Sequence, residues 1–124
     1  MKLKMTSVHV NDPAAAFKFY TEVLGFKETL FMPEANLAIV HAPGQEDLAL
    51  LLEPSDNPIA RDYKEGLYKS GIPVIVMGVD NVRAEYERLS SHGVRFSEEP
   101  KTDEYGTTAV FDDTCGNYIK LHQN

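Results

Sequence analysis

Apolar and polar residues alternate along several short stretches of the chain, and two longer stretches repeat their apolar residues every three to four positions. Alternation is typical of strands with one covered face, whereas the longer period is typical of amphipathic helices. The pattern predicts a strand, a helix and three further strands, and then the same series again. The predicted strands are Ser7–Val10, Phe26–Met32, Asn36–His41, Asp47–Glu53, Val74–Val79, Val94–Glu99, Gly106–Phe111 and Asn117–Gln123.

An internal repeat supports this order of elements. When Asp12 is aligned with Asp80, Gly25 falls on Gly93, because the glycine follows the aspartate at the same distance in both copies. Aspartate is a favoured residue at a helix N-cap, and glycine is the usual residue just after a helix C-terminus. Each copy therefore predicts a capped helix between two strands.

The sequence predicts an α+β fold built from two βαβββ modules. We expect the first module at residues 1–54 and the second at residues 73–124. Residues 55–72 are expected to form a linker that contains a helical turn or two. Because the strands alternate, each sheet should have one covered face and one open face.

The charge balance limits the expected partners. The chain of 124 residues has a formal net charge of −7, with 43% hydrophobic and 25% charged residues. An acidic surface argues against binding to nucleic acid or to an anionic membrane, since both require a basic surface. We see no signal peptide and no long apolar run, so we expect a cytoplasmic protein. The single cysteine, Cys115, cannot form an internal disulfide.

Two stretches, VHVNDPAAAFKFYTEVLGF and FDDTCGNYIKLHQ, resemble the vicinal oxygen chelate superfamily of glyoxalases, bleomycin-resistance proteins and extradiol dioxygenases. The resemblance covers nearly the whole chain. It implies two curled mixed sheets around a cleft, often in a homodimer. Many members hold one divalent metal ion in the cleft, with ligands from the first and last strand of each module.

The resemblance places the four ligand positions of the family on Met5, Glu53, Val74 and Lys120. Only Glu53 is a usual ligand, since a thioether binds hard divalent metals poorly and an ammonium group repels them. We therefore expect no cofactor. The resemblance still leaves a divalent metal open, with His9, Glu53 and His122 as alternative ligands. The repeat alignment also makes Glu53 and Lys120 near-equivalent positions.

Strand alternation groups the residues that should face the cleft and bind a ligand. They are Met5, Ser7, His9, Glu53, Val74, Tyr118, Lys120 and His122. One hypothesis is that Lys120 pairs with Glu53 and replaces the metal as the cation of the cleft, where it would bind an anionic or carbonyl-bearing ligand. The alternative is that Lys120 extends into solvent and Glu53 lies at the rim.

These residues favour a protein of the glyoxalase and bleomycin-resistance type that binds a small organic molecule in a β-sheet cleft and has a degenerate metal site. The alternative is a metal-dependent lyase, isomerase or dioxygenase of the same superfamily with a rearranged site. Catalysis therefore stays open, and an enzyme would be of the glyoxalase or dioxygenase type. A structural module, with a cleft filled by its own side chains, is a third hypothesis.

Overall fold

Eight strands and three α-helices make up the computed structural model, which describes residues 1–124. The strands are β1 (Met5–Val10), β2 (Lys27–Met32), β3 (Leu37–His41), β4 (Ala49–Pro54), β5 (Ile75–Val79), β6 (Phe96–Asp103), β7 (Gly106–Asp112) and β8 (Tyr118–Gln123). The helices are α1 (Pro13–Glu22), α2 (Pro58–Lys69) and α3 (Val82–Ser91). The chain divides into two compact units, Met1–Lys64 and Glu65–Asn124.

The first unit contains a four-stranded mixed sheet in the order β1-β4-β3-β2. Strands β1 and β4 are parallel, and the other neighbours are antiparallel. Helix α1 packs against β3 and β4 and covers one face. The apolar side chains buried between the helix and the sheet are Val8, Val10, Ala16, Tyr20, Ala38, Val40, Leu50 and Leu52.

The second unit repeats this topology with the sheet order β5-β8-β7-β6, in which β5 and β8 are the parallel pair. Helix α3 packs against β6, β7 and β8. The core of the second unit contains Val82, Leu89, Val94, Ala109, Phe111, Ile119 and Leu121. The predicted α+β fold of two βαβββ modules is confirmed.

The first helix starts as the sequence predicts. The side chain of Asp12 accepts a hydrogen bond from the backbone N–H of Ala14 at 3.1 Å, and Pro13 occupies the first helical position. Proline is tolerated there because that N–H has no partner inside the helix. Gly25 follows the helix with φ +88°, a left-handed conformation that glycine adopts without steric cost.

The second helix of the repeat, α3, is capped one residue later than the alignment predicts. Asn81, and not Asp80, precedes the helix, and its side-chain oxygen accepts from the N–H of Ala84 at 3.0 Å. Asparagine caps as well as aspartate, so the residue immediately before the helix takes the role. Asp80 instead accepts a hydrogen bond from the side chain of Asn124 at 3.3 Å.

Two segments carry more regular structure than predicted. The linker contains a complete helix of 12 residues, α2, where a turn or two was expected. Asn57 starts this helix by accepting a hydrogen bond from the N–H of Ile59 at 2.8 Å. Strand β6 continues through residues 101–103, beyond its predicted end at Glu99, because Lys101 and its two successors pair with β7.

None of the three α-helices has the length and apolar character that a membrane span requires.

The turn before β8 is held by a buried carboxylate. Asp113 is fully buried, and its Oδ1 accepts from the backbone N–H groups of Cys115 at 2.7 Å and Asn117 at 3.0 Å. Its Oδ2 accepts from the side-chain amide of Asn117 at 3.2 Å. The aspartate in the FDDTCGN stretch is therefore a structural acceptor, since buried N–H groups need partners.

Candidate functional site

A pocket of about 430 Å³ lies in the first unit, where β1 and β4 end and α2 begins. The lining residues are His9, Glu53, Pro54, Asn57, Ile59, Ala60 and Tyr63. The strands supply the histidine and the carboxylate, and the start of α2 supplies an apolar wall. Polar groups on a rigid sheet beside an apolar wall are the usual construction of a small-molecule site.

His9 and Glu53 lie side by side because of the strand register. They are paired residues of the parallel strands β1 and β4, so their side chains project from the same face of the sheet. Their neighbours Val8, Val10 and Leu52 project from the opposite face and are buried. The predicted alternation of these two strands is confirmed, and it presents both polar groups to the pocket.

The pocket has an acidic lining. Glu53 supplies a carboxylate and His9 an imidazole, and neither lysine nor arginine lines the pocket. Glu53 is half-buried, and its carboxylate forms no hydrogen bond or ion pair within the first unit. The protein's ion pairs join Arg88 to Glu85 and Lys101 to Glu98, both in the second unit. The acceptor capacity of Glu53 therefore remains available to a ligand.

The wall formed by α2 is apolar and open to solvent. Ile59 and Tyr63 lie one helical turn apart and are 81% and 54% exposed, and Ala60 lies beside them. Large apolar side chains that are exposed around a concavity are typical of binding surfaces. The sequence analysis did not place Ile59 or Tyr63 in the site, because it treated this segment as a linker.

A buried lysine attaches α2 to the first unit. Lys64 is only 5% exposed, and its Nζ donates a hydrogen bond to Oδ1 of Asn11 at 2.5 Å, just after β1. The hydroxyl of Ser55 donates to the carbonyl of Val10 at 3.0 Å, which ties the end of β4 to the same place. Ala60 and Lys64 are one turn apart, so the lysine sets the helix face that adjoins the pocket.

Two other predicted site residues share the open face of β1 but lie away from the pocket. Met5 pairs with Ala49, and Ser7 pairs with Leu51, in register with His9 and its partner. Met5 is 45% exposed. These two residues therefore share a face of β1 with His9 but do not line the pocket, and their part in ligand binding stays a prediction.

In the second unit, Tyr118, Lys120 and His122 share the open face of β8, and the intervening residues are buried. Lys120 is half-buried and pairs with Val76, which is 58% exposed. Val74 precedes β5, and its N–H donates to the carbonyl of Tyr118 at 2.9 Å. Tyr118, Lys120 and His122 thus share one face of β8, and contact of this face or of Val74 with a ligand stays a prediction.

Tyr118 is covered by a second tyrosine. The rings of Tyr68 and Tyr118 stack with centroids 4.6 Å apart and an interplanar angle of 7°. The hydroxyl of Tyr68 donates to Oδ2 of Asp112 at 2.5 Å. This hydrogen bond, with burial as the next cause, raises the pKa of Tyr68 well above the ordinary value for tyrosine. His122 is also engaged, with its Nε2 at 3.0 Å from the carbonyl of Tyr105.

The strand registers correct the predicted equivalence of Glu53 and Lys120. In the first sheet, Ala49 and Glu53 are the first and fifth residues of β4. In the second sheet, Tyr118 and His122 are the first and fifth residues of β8, and both units have the same topology. Glu53 therefore corresponds to His122, and the predicted equivalence is wrong by two residues.

By the same register, Lys120 corresponds to Leu51, the third residue of β4. If the family positions are equivalent in the two modules, they fall on Met5, Leu51, Val74 and Lys120. A thioether, two alkyl groups and an ammonium group do not fit a divalent metal. Nor does any group of three or more His, Cys, Asp or Glu side chains have an arrangement that could hold a metal ion.

The predicted pairing of Lys120 with Glu53 joins residues of different units, and it stays a prediction. The same holds for a metal site that combines His9, Glu53 and His122.

Comparison with known proteins gives the family. Residues 2–121 match the family model of the Glyoxalase/Bleomycin resistance protein/Dioxygenase superfamily. The protein YurT of Bacillus subtilis strain 168 is 41% identical over 99% of both chains. Among solved structures, that of UcmS2 is 31% identical with a TM-score of 0.84, and the alignment covers 100% of this chain and 98% of the other.

A second solved structure carries a description of its function. TnmS3, an antibiotic binding protein from Streptomyces sp. CB03234, is 26% identical with a TM-score of 0.75, over 99% of this chain and 95% of the other. The resemblance that the sequence motifs predicted is confirmed. Because the family model matches nearly the whole length and the paired βαβββ modules agree with it, the chain belongs to the Glyoxalase/Bleomycin resistance protein/Dioxygenase superfamily.

Proposed function

We propose that this protein binds a small organic molecule in the pocket between β1, β4 and α2, without a catalytic metal ion. The observation that carries the proposal is the pocket itself, in which Glu53 and His9 lie beside the exposed apolar wall of α2. The likeness to TnmS3, an antibiotic binding protein, supports a ligand of that general kind. The unsuitable donor set at the family positions argues against metal chemistry there.

Ligand contact by the other predicted residues is a separate proposal for the open face of each sheet. In the first unit these residues are Met5 and Ser7, which lie outside the pocket, and in the second unit they are Val74, Tyr118, Lys120 and His122. We also propose a cytoplasmic homodimer, because members of the family often form homodimers. Light scattering during size-exclusion chromatography would measure the mass in solution.

The test of the proposal combines metal analysis with thermal unfolding. Protein purified without a tag or chelator should contain far less than one metal ion per chain, and Mn, Ni, Zn and Fe(II) should leave its melting temperature unchanged. A ligand at about 100 times its dissociation constant adds about 2.7 kcal/mol to native stability. In a chain of this size that raises the melting temperature by on the order of 10 °C. We expect shifts of this size from members of an antibiotic panel.

The alternative is a metal-dependent lyase, isomerase or dioxygenase, and the adjacency of His9 and Glu53 favours it. Near-stoichiometric metal would support this alternative, provided that Glu53→Ala or His9→Ala abolishes it. A catalytic zinc site usually has three protein ligands.

A further inference from the structure

We propose that the pocket selects ligands that carry a positively charged group beside an aromatic or aliphatic ring system, and that Glu53 recognises the charge. This inference rests on the proposed function and names its ligand class. It concerns the first unit alone, because every lining residue belongs to it.

The carboxylate of Glu53 has unused acceptor capacity. An ionised carboxylate accepts hydrogen bonds and donates none, and its two oxygens offer about four acceptor sites. Within the first unit none of these sites is used, although the side chain is half-buried. The nearest lysine of α2, Lys64, is engaged by Asn11 and does not line the pocket. The carboxylate therefore gives the pocket a negative potential, with the imidazole of His9 beside it and no lysine or arginine among the lining residues.

A bound ligand would cover the carboxylate of Glu53. A ligand on the wall of Ile59 and Tyr63 would remove water from Glu53, and the loss of hydration disfavours binding unless the ligand supplies a donor or a charge. An ammonium group supplies both. A neutral ligand supplies at most a donor, and an anion is repelled. The pocket should therefore rank ligands as cation, neutral molecule, anion.

The apolar wall of α2 can contact both parts of such a ligand. The exposed ring of Tyr63 offers a π-face to a cation, and Ile59 offers apolar contact for the rest of the molecule. A molecule with an ammonium group next to a ring system uses both parts of the site. This geometry favours an arylalkyl ammonium ion over a simple metal cation or a polyamine, because those have no apolar body for α2.

The experiment uses three probes of matched shape: naphthylethylamine, naphthylethanol and naphthylacetate, which are cationic, neutral and anionic near neutral pH. Each is titrated into the full-length ¹⁵N-labelled protein, and the amide signals of Glu53, Ile59 and Tyr63 report binding. We expect the amine to bind about tenfold more tightly than the alcohol, a difference of about 1.4 kcal/mol. Naphthylacetate, the anionic probe, should bind most weakly of the three.

Two variants complete the test. Glu53→Gln should remove the preference for the amine while the affinity for naphthylethanol stays within about twofold, which also shows that the pocket is folded. Glu34→Gln is the matched control, since it makes the same change of net charge at an exposed residue outside the pocket. It should keep the full preference.

The outcomes separate the two levels of the proposal. Equal binding of amine and alcohol, or a preference that survives in Glu53→Gln, would overturn the inference while ligand binding at the pocket stands. If none of the probes moves these amide signals at millimolar concentration, the proposed function is refuted at this pocket, and the inference falls with it.

Discussion

The buried carboxylate of Asp113, in the turn between β7 and β8, should contribute more to stability than a carboxylate in an exposed turn. It accepts at least three hydrogen bonds, two from backbone N–H groups through Oδ1 and one from the side chain of Asn117 through Oδ2. In Asp113→Asn, the amide oxygen can keep both backbone hydrogen bonds. Its NH₂ group then faces the amide of Asn117, so one hydrogen bond is lost and two donors are brought together.

The magnitude follows from the cost of a buried polar group without a partner. One unsatisfied donor costs about 1–3 kcal/mol, so we expect Asp113→Asn to lose about that amount. Asp113→Ala leaves all three donors without this acceptor and should lose roughly 3–5 kcal/mol. Each kcal/mol should lower the melting temperature of a chain of this size by roughly 3–5 °C.

Urea unfolding followed by far-ultraviolet circular dichroism measures these losses, because the chain has no tryptophan to report by fluorescence. Asp103→Asn is the matched control. Asp103 accepts one hydrogen bond, from the N–H of Tyr105 at 2.8 Å, on the exposed surface, and an asparagine oxygen can replace it. The control should change stability by less than about 0.5 kcal/mol. An Asp113→Asn variant as stable as this control would refute the role given to Oδ2.

Three further predictions concern other contacts. Asn11→Ala should destabilise the protein more than Lys64→Met. The change at Asn11 leaves a buried ammonium group without its acceptor, whereas Lys64→Met removes the charge but keeps the packed stem of the side chain. Equal losses of unfolding free energy in urea would contradict this. Since a carboxylate raises the pKa of Tyr68, its phenol stabilises the fold fully below the unfolded value of 10.0, and this contribution is lost as pH rises through the higher folded pKa. Alkaline absorbance titration should show a late-ionising tyrosine that Tyr68→Phe removes, and an unchanged curve would count against the assignment. Asn81→Ala should cost about 1 kcal/mol by removing the cap of α3, and Asp80→Ala should cost less than half of that in the same assay; the reverse order would return the cap to the aspartate.

Local sequence patterns predicted the modules because strand alternation and helix capping depend on residues that are close in sequence. Alternation placed His9 and Glu53 on an open face, and the cap of Asp12 located the first helix. The repeat alignment failed where spacing depends on how a helix ends. Two residues, Val23 and Leu24, separate α1 from its glycine, whereas His92 alone separates α3 from its glycine.

The pocket wall lay beyond these patterns for a different reason. The segment of α2 is polar overall, and it places a lysine where a helix face is buried, so its hydrophobic period is interrupted at Lys64. The single acceptor on Asn11 that makes this burial tolerable is distant in sequence. Only the folded chain brings the two together, and with them Ile59 and Tyr63 against the strand ends.

The strict alternation of β4 and β8 has a consequence for how such a protein changes over generations. Equivalent outward positions already carry different chemical groups. Leu51 in β4 corresponds to Lys120 in β8, and Glu53 corresponds to His122. The inward neighbours stay apolar and packed, so an exchange on the outer face leaves the packing volume of the core unchanged. A duplicated module of this design can acquire a new binding chemistry by single substitutions, with little loss of stability at any step.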